Sequence, residues 1–223
     1  MTSFDSNRYR KIAFYYKDLG EKKLLKKSVS NLNIDKRVFL YYSKYSNVPI
    51  CALPRIKFVL SSRSGFLSFC YNFFTFVNSN ENCIIISPSS ISSIAKFVIS
   101  HEVGHILDPD IYKSKEEYTV ILSNLIDKLV EYNIDIDTND FHKGNIPIEL
   151  ESCVIDLKKN LINRESKAWD IAKTIVDFEN PKEEFLFNKM KEYALATYNF
   201  GNLKNIVKEH HLDIFFKRRQ YSA

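Results

Sequence analysis

One apolar segment, from Ser90 to Leu107, constrains the fold of this chain more than any other part of the sequence. Its apolar residues cover most of a helical surface rather than one narrow stripe, which predicts a helix buried on most sides. They are Ile91, Ile94, Ala95, Val98, Ile99, Val103 and Leu107. Such a helix needs other elements packed around it, and a chain of 223 residues that is 45% hydrophobic can supply them. The preceding residues Pro88 and Ser89 are typical of a helix start.

The end of this helix carries the pattern His-Glu-x-x-His at His101, Glu102 and His105. Positions i and i+4 lie on one helical face, so both imidazoles can bind a single ion. Zinc suits imidazole ligands, and a catalytic zinc keeps a fourth position open for water. The Glu102 carboxylate can take a proton from that water and pass it to a leaving nitrogen. The motif therefore predicts a zinc site with Glu102 as general base. A structural metal site, or a pair of surface histidines, is the alternative interpretation.

The remaining segments predict an α+β fold, in which strands come first and helices follow. The predicted helices are 8–19, 35–46, 113–133, 147–161, 163–178, 182–199 and 202–216. The predicted strands are 56–61, 66–77 and 83–87. We expect a single domain over residues 1–223, with N-terminal helices in 1–50, the sheet and the motif helix in 51–110, and a helical part with a third metal ligand in 111–223.

The form His-Glu-x-Gly-His-x-x-Asp, which ends at Asp108, resembles the zincin metallopeptidases. It is similar in particular to the ImmA/IrrE-like peptidases, cytoplasmic enzymes that cleave phage or stress repressors, and to toxin proteases related to anthrax lethal factor. The resemblance covers less than half of the chain. It implies a twisted sheet whose edge strand binds an extended substrate beside the active-site helix. Ile84, Ile85 and Ile86 are the predicted substrate strand, and a buried central strand is the alternative for these residues.

The third ligand must come from another part of the chain. The metzincin pattern requires Gly three residues after the second His and His or Asp six after it, and Asp108 and Ile111 exclude it. A glutamate on a later helix, as in gluzincins, is then expected. We predict Glu165, because a carboxylate on an apolar helical face is costly to bury without a partner. The face consists of Glu165, Ala168, Trp169, Ala172, Ile175 and Val176. A simple helix-terminal charge is the alternative for Glu165, and the rival ligands are Glu149 and Glu151, followed by His142 and Cys153.

Several further residues are expected to support this site. Gly inside a helix costs about 1 kcal/mol relative to Ala, so Gly104 indicates that a neighbouring helix approaches closely. Ala168 is expected to permit that approach, and Trp169 to anchor the two helices. Asp108, and less favourably Asp170, is predicted to orient a ligand imidazole. His142, Tyr193 and Tyr198 are candidate oxyanion donors, and the sequence does not choose among them. Glu165 lies farther from His105 than is usual in ImmA/IrrE-like peptidases, and Lys158 stands where the toxin group often has a Tyr.

Composition and charge limit which partners and which cellular compartment the sequence predicts. The net charge of +5 is modest, and the basic clusters at 22–27 and 217–219 lie beside acidic or apolar residues. Solvated helix faces are therefore expected, a weak contact with an acidic partner stays open, and no nucleic-acid partner is predicted. The four cysteines form no C-x-x-C pair, which favours reduced thiols. The chain shows no signal peptide and no membrane span, which predicts a cytoplasmic protein, although delivery as a secreted effector by another route stays open.

These observations predict a zinc metallopeptidase that hydrolyses a protein or peptide. The alternative is a non-catalytic zinc-binding protein of zincin-like fold that serves as a partner-binding or regulatory module. Glu102 favours the enzyme, because a structural metal site has no use for a general base.

Overall fold

The chain has an α+β fold, as predicted, in which seven helices accompany a small sheet within the described residues. The computed structural model describes residues 4–35, 37–43, 48–53, 56–80, 84–134 and 147–200, with the backbone alone for 56–59, 79–80 and 198–200. The helices are α1 Ser6–Leu19, α2 Glu21–Ser30, α3 Arg63–Asn80, α4 Pro88–Leu107, α5 Ile111–Glu131, α6 Ile148–Ile175 and α7 Pro181–Phe200. The strands are β1 Phe39–Tyr42, β2 Pro49–Leu53 and β3 Ile56–Val59. None of the helices in these ranges combines the length and the apolar character that crossing a bilayer requires.

The chain divides into two compact units. The first unit comprises Met1–Asp108 and Ser166–Tyr193, and the second comprises Pro109–Glu165 and Ala194–Ala223. The division passes through α6, which is one unbroken helix from Ile148 to Ile175.

The sheet belongs to the first unit and is antiparallel, in the order β1-β2-β3. The side chains of β2 alternate between fully buried and half-buried, so one sheet face belongs to the core. Cys51 lies on that buried face, opposite Leu40 of β1. Phe39 and Tyr41 of β1 lie on the other face and are exposed. This alternation places the core on the side of the sheet that carries Cys51.

Helix α4 is the centre of the first unit. Its N-terminus is a capping box, in which Ser87 and Ser90 each accept from the other's backbone N–H, followed directly by Pro88. Its buried apolar residues are Ile91, Ile94, Ala95, Phe97, Ile99 and Val103. The broad apolar coverage of the sequence thus corresponds to a helix buried on most sides, as predicted.

A buried ion pair lies inside this unit between α4 and the start of α7. The Lys96 ammonium lies 2.8 Å from a Glu183 carboxylate oxygen, and both side chains are 6% exposed. Lys96 also donates to the Asp177 carbonyl at 3.0 Å, while Ser93 and the Glu179 N–H donate to Glu183. Burial alone raises the pKa of Glu183, but these donors outweigh it and hold the pKa below its usual value.

The second unit has its own apolar core between α5 and the first part of α6. Its fully or nearly fully buried members are Leu125, Leu129, Leu150, Cys153, Val154, Leu157 and Leu161. The residues of α6 in this set recur every three or four positions, as expected for one face of a helix. Cys153 is therefore a core residue of this unit, which is the role expected of a reduced cysteine.

Two predicted elements are wrong because a helix and a strand were exchanged. Residues 35–46 were expected to be a helix, yet Phe39–Tyr42 forms β1, because alternating exposed and half-buried aromatic residues also suit a strand. Residues 66–77 were expected to be a strand, yet they lie within α3. The reason is visible in the burial of Cys70, Phe73, Phe74 and Val77, whose helical spacing a continuous apolar run conceals.

The other predicted elements divide between confirmed and corrected. Helices at 8–19, 113–133 and 182–199 correspond to α1, α5 and α7, and the strand at 56–61 corresponds to β3. The helices predicted at 147–161 and 163–178 form the single helix α6, and α2 was not predicted. The strand predicted at 83–87 is wrong for its described part, because 84–87 belongs to no strand. The helix predicted at 202–216 lies outside the described residues.

Candidate functional site

Two histidines face each other near the end of α4. The rings of His101 and His105 have centroids 4.6 Å apart, and their planes are inclined by 72°. This is the arrangement that i and i+4 spacing on one helical face produces. His105 is only 9% exposed, so the pair lies in the surface layer of the core rather than in open solvent.

Glu165 of α6 completes a group of three possible ligands. One nitrogen from each histidine and one oxygen from Glu165 all lie within 4.8 Å of one another. Within the described residues, no other group of three histidine, cysteine or acidic side chains has its possible ligand atoms this close together. Ser166 is the first residue of α6 that belongs to the first unit, and Glu165 directly precedes it. Because α6 continues without a break through both residues, the position of Glu165 is determined by that of the helix.

The rival glutamates do not join this group. Glu149 and Glu151 lie in the first turn of α6, about 24 and 21 Å from Glu165 along the helix axis at 1.5 Å per residue. The backbone carbonyl of Glu149 accepts a hydrogen bond from Lys128 at 3.0 Å, and Glu151 is exposed. The structure thus brings Glu165 to the histidines and leaves both rivals about four turns away. His142 lies outside the described residues.

The close approach of α4 and α6 has a definite cause. A Cβ atom added to Gly104 would lie 3.0 Å from the carbonyl carbon of Ala168 and 3.3 Å from its Cα, and closer still to the carbonyl oxygen. No ordinary side chain fits at this point, because the obstructing atoms are backbone. Ala168 itself is fully buried. The roles predicted for Gly104 and Ala168 are confirmed by this contact.

Trp169 supports the first histidine. Its ring stacks on His101 with a centroid distance of 4.3 Å and an interplanar angle of 23°, and it is 2% exposed. On a further side it contacts Phe187 of α7 edge to face. A buried ring in this position restricts the rotation of the His101 imidazole, so Trp169 anchors α6 against α4 as expected.

The two aspartates predicted to lie behind the ligands differ in position. Asp108 ends α4, is 5% exposed, and lies 2.8 Å from the ammonium of Lys167. This ion pair links the end of α4 to α6 two residues beyond Glu165. Lys167 was not among the residues predicted from the sequence. Asp170 points to solvent with its side chain 65% exposed and pairs with Lys191. The structure therefore does not bring Asp170 to the histidines, because five residues turn it away from the face of Glu165.

Glu102 lies near Cys51 of strand β2. Burial raises the pKa of the Cys51 thiol to about 11, and the negative charge of Glu102 adds to the effect. Cys51 is fully buried on β2. This electrostatic effect indicates that the Glu102 carboxylate lies near Cys51. The sequence held no signal for this neighbour, since β3 and α3 separate Cys51 from the helix of the motif.

The predicted substrate strand lies elsewhere in the first unit. Ile84 and Ile85 line a surface groove of about 400 Å³ together with the beginnings of α4 and α7. Ser87, which caps α4, lies about 21 Å from His101 along the helix axis. The residues that line this groove do not include any of the ligand group. A substrate role for residues 84–86 stays a prediction, without the strand pairing on which it was based.

Of the candidate oxyanion donors, Tyr193 is the one whose side chain the structure describes. The ring of Tyr193 packs among Phe69, Phe73 and Phe76 at centroid distances of 5.2–5.8 Å, and burial raises the pKa of its hydroxyl. It is therefore part of an aromatic cluster in the first unit. The side chain of Tyr198 lies outside the described residues.

Comparison with known proteins gives little further information. No family model matches the chain, and no solved structure matches it. Among curated proteins, a proline–tRNA ligase of Mycoplasma mycoides subsp. mycoides SC is 28% identical over 139 aligned residues. The alignment covers 57% of this chain and 27% of the ligase, so the chain spans about a quarter of the protein it matches. A partial likeness at this level of identity does not show a family. The functional interpretation of the candidate site therefore depends on the geometry of its residues.

Proposed function

We propose that this chain is a zinc-dependent metallopeptidase of zincin-like arrangement, in which His101, His105 and Glu165 hold the metal and Glu102 is the general base. The observation that supports this function is the convergence of the three ligand atoms within 4.8 Å. The sequence separates Glu165 from His105 by a whole helix and a long connection, so this convergence is not a consequence of the motif alone.

The donor set suits zinc. Two imidazole nitrogens and one carboxylate oxygen are the ligands of many catalytic zinc sites, which keep one further position for water or substrate. Bonds of about 2.0–2.2 Å in tetrahedral geometry separate two ligand atoms by about 3.3–3.5 Å. The three ligand atoms lie within 4.8 Å of one another, so shifts of about 1 Å through side-chain rotation bring them to the separation that zinc requires. Magnesium and calcium prefer sites built from oxygen, and two histidines disfavour them.

The residues around the site have separate roles in peptide hydrolysis. A bound zinc ion would lower the pKa of water and polarise the scissile carbonyl group. Glu102 accepts a proton from the attacking water and delivers it to the leaving amide nitrogen, which departs as an amine. Trp169 restricts the His101 ring, and the Asp108–Lys167 pair joins α4 to α6. We infer a protein or peptide as the substrate, because this combination of base and metal suits amide hydrolysis.

The first experiment separates catalysis from metal binding. Zinc content is measured in the purified protein and in Glu102→Gln, and both are incubated with a peptide library derived from a proteome. The proposal expects about one zinc per chain in both proteins and cleavage by the wild type alone. Zinc in both proteins with cleavage by neither would favour the non-catalytic zinc-binding alternative. Absence of zinc from both would refute the metallopeptidase.

The second experiment tests the third ligand with matched controls. Glu165→Gln, Glu149→Gln and Glu151→Gln each remove one charge from the same helix, but only the first removes a member of the ligand group. Loss of a residue that merely supports a ligand costs about 10–100-fold in metal affinity, so loss of Glu165 should cost about 100-fold or more. The two control variants should bind zinc as the wild type does. Equal affinity in all three variants would contradict the assignment of Glu165.

A further inference from the structure

Strand β1 lies at an edge of the sheet. Among the described residues it has a strand partner on one side only, namely β2. Ser43 donates its N–H to the Val48 carbonyl at 2.9 Å, and Tyr42 lies opposite Pro49 in the next pair. Hydrogen-bonded and non-hydrogen-bonded pairs alternate along antiparallel strands. Tyr42 therefore belongs to a non-bonded pair, which agrees with the missing N–H of Pro49.

The same alternation determines which backbone groups of β1 point outward. Leu40 and Tyr42 direct their N–H and C=O groups away from β2, whereas Phe39 and Tyr41 use theirs to pair with it. The outer edge thus presents two donors and two acceptors at two-residue spacing. An edge of this kind is a template for another extended chain.

A groove accompanies this edge. It has a volume of about 460 Å³ and lies between α2 with the residues after it and the first part of β1. Its apolar lining includes Val29, Leu32 and Val38. Phe39 also lines it and is 46% exposed. The edge strand therefore borders a concave surface with an apolar floor rather than open solvent.

The charges around the groove are positive. Lys26 and Arg37 line it, and the Arg37 guanidinium lies 4.9 Å from the centre of the Phe39 ring. At the other end of β1, the Lys22 ammonium lies 5.3 Å from the centre of the Tyr42 ring. The negative charge of Glu21 also acts on Tyr42 at that end, so the positive charge of this surface comes from the two charged side chains that line the groove, Lys26 and Arg37. An occupant with acidic side chains would complement them.

We propose that β1 and this groove form a docking site for an extended acidic peptide segment of a partner protein, which adds to the sheet as a fourth strand. The backbone of the segment pairs with Leu40 and Tyr42, its apolar side chains enter the groove, and its acidic side chains approach Lys26 and Arg37. Lys26, one member of the basic cluster of α2, thereby has a role. The docking site is independent of the proposed peptidase activity.

The test uses a fluorescein-labelled nine-residue peptide, in which alternating valine and threonine are flanked by two glutamates at each end. Its binding is measured by fluorescence anisotropy in the Glu102→Gln background, so that hydrolysis of the probe cannot affect the result. The double variant Lys26→Glu with Arg37→Glu should weaken binding about tenfold or more, because two attractions become repulsions. Lys23→Glu changes the charge of the same helix outside the groove and should change affinity less than about twofold. Added salt should weaken wild-type binding.

A second variant tests the backbone pairing. Leu40→Pro removes one outward N–H without removing a bond to β2, and proline is tolerated on edge strands in that position. It should weaken peptide binding about fivefold or more while the circular dichroism spectrum stays unchanged, and Leu40→Val should bind as the wild type does. Wild-type affinity in the charge-reversed double variant would overturn the proposal. So would tighter binding of a single-stranded oligonucleotide of equal charge, since it would assign the basic surface to a nucleic acid.

Discussion

Gly104→Ala adds one methyl group where α4 meets the backbone of α6. The new Cβ would lie 3.0 Å from the Ala168 carbonyl carbon, with the carbonyl oxygen closer still. Backbone atoms of a long helix cannot rotate away, so the two helices must separate by roughly 1 Å to reach ordinary contact. Overpacking of this kind costs up to about 3 kcal/mol, and the higher helix propensity of alanine returns about 1 kcal/mol. We expect a net loss of about 2 kcal/mol in the free energy of unfolding.

Gly65→Ala is the matched control. Gly65 lies in the first turn of α3, and its nearest neighbours to an added Cβ are Ser61 and Ser62 at 3.5 Å, which is ordinary contact. The same substitution should therefore stabilise the protein by up to about 1 kcal/mol. The expected effects of the two glycine variants thus have opposite signs.

The assay is urea unfolding followed through Trp169, the one tryptophan of the chain, which lies in the first unit. Metal affinity is measured in parallel by competition with a chelator, and it should fall in Gly104→Ala because Glu165 withdraws with α6. Ala168→Gly should not rescue the variant, since the obstruction is the Ala168 backbone rather than its methyl group. A neutral or stabilising Gly104→Ala, with the same slope on urea as the wild type, would refute this account of the helix contact.

Three further outcomes are expected. Glu183→Gln should destabilise the protein by about 3–5 kcal/mol at neutral pH, because it leaves the Lys96 charge buried without its partner. The folded pKa of Glu183 is below its unfolded value, which is near 4.3. The contribution of Glu183 to the free energy of unfolding is therefore fully present above the unfolded pKa and is lost as pH falls through the folded pKa. Unfolding curves between pH 2 and 7 should show this loss in the wild type and a flatter profile in the variant. Zinc added to metal-free protein should change the fluorescence of Trp169, which stacks on His101, whereas magnesium at the same concentration should not. Cys51, with a pKa of about 11, should be alkylated far more slowly in the native protein than in urea when its peptide is followed by mass spectrometry.

The sequence predicts the helices of this chain where their apolar faces alternate with polar ones. In the C-terminal part of α6, Ala168, Trp169 and Ala172 were expected to share a buried face, and all three are buried. The prediction succeeds because a period of 3.6 residues distinguishes this face from its polar surroundings. It fails for α3, where apolar residues occur at almost every position, so that periodicity carries no information. In that region, burial against neighbouring helices rather than local preference determines the structure.

For the candidate site, too, some features follow from the sequence and others do not. His101 and His105 follow from local spacing alone, because four residues in a helix determine their separation. Lys167 was missed, although a buried Asp108 requires a cationic or donor partner. The sequence offered one indication of this pair, because Lys167 follows the predicted ligand Glu165 by two residues on the same helix. The position of Cys51 beside Glu102 could not be predicted, because it depends on how the sheet packs against α4.

Which glutamate meets the histidines depends on two small residues more than on the identity of the glutamate. Glu149, Glu151 and Glu165 offer the same carboxylate, and what distinguishes them is the height along α6 at which that helix meets α4. Gly104 and Ala168 determine this height, since their backbones can meet only where neither helix presents a large side chain. Glu165 precedes Ala168 by three residues, almost one turn, and so faces the same side of α6 at the level of the histidines. The Gly inside the motif and the Ala after the glutamate therefore carry as much information about the proposed metal site as the proposed ligands do, because they determine which glutamate can reach the histidines.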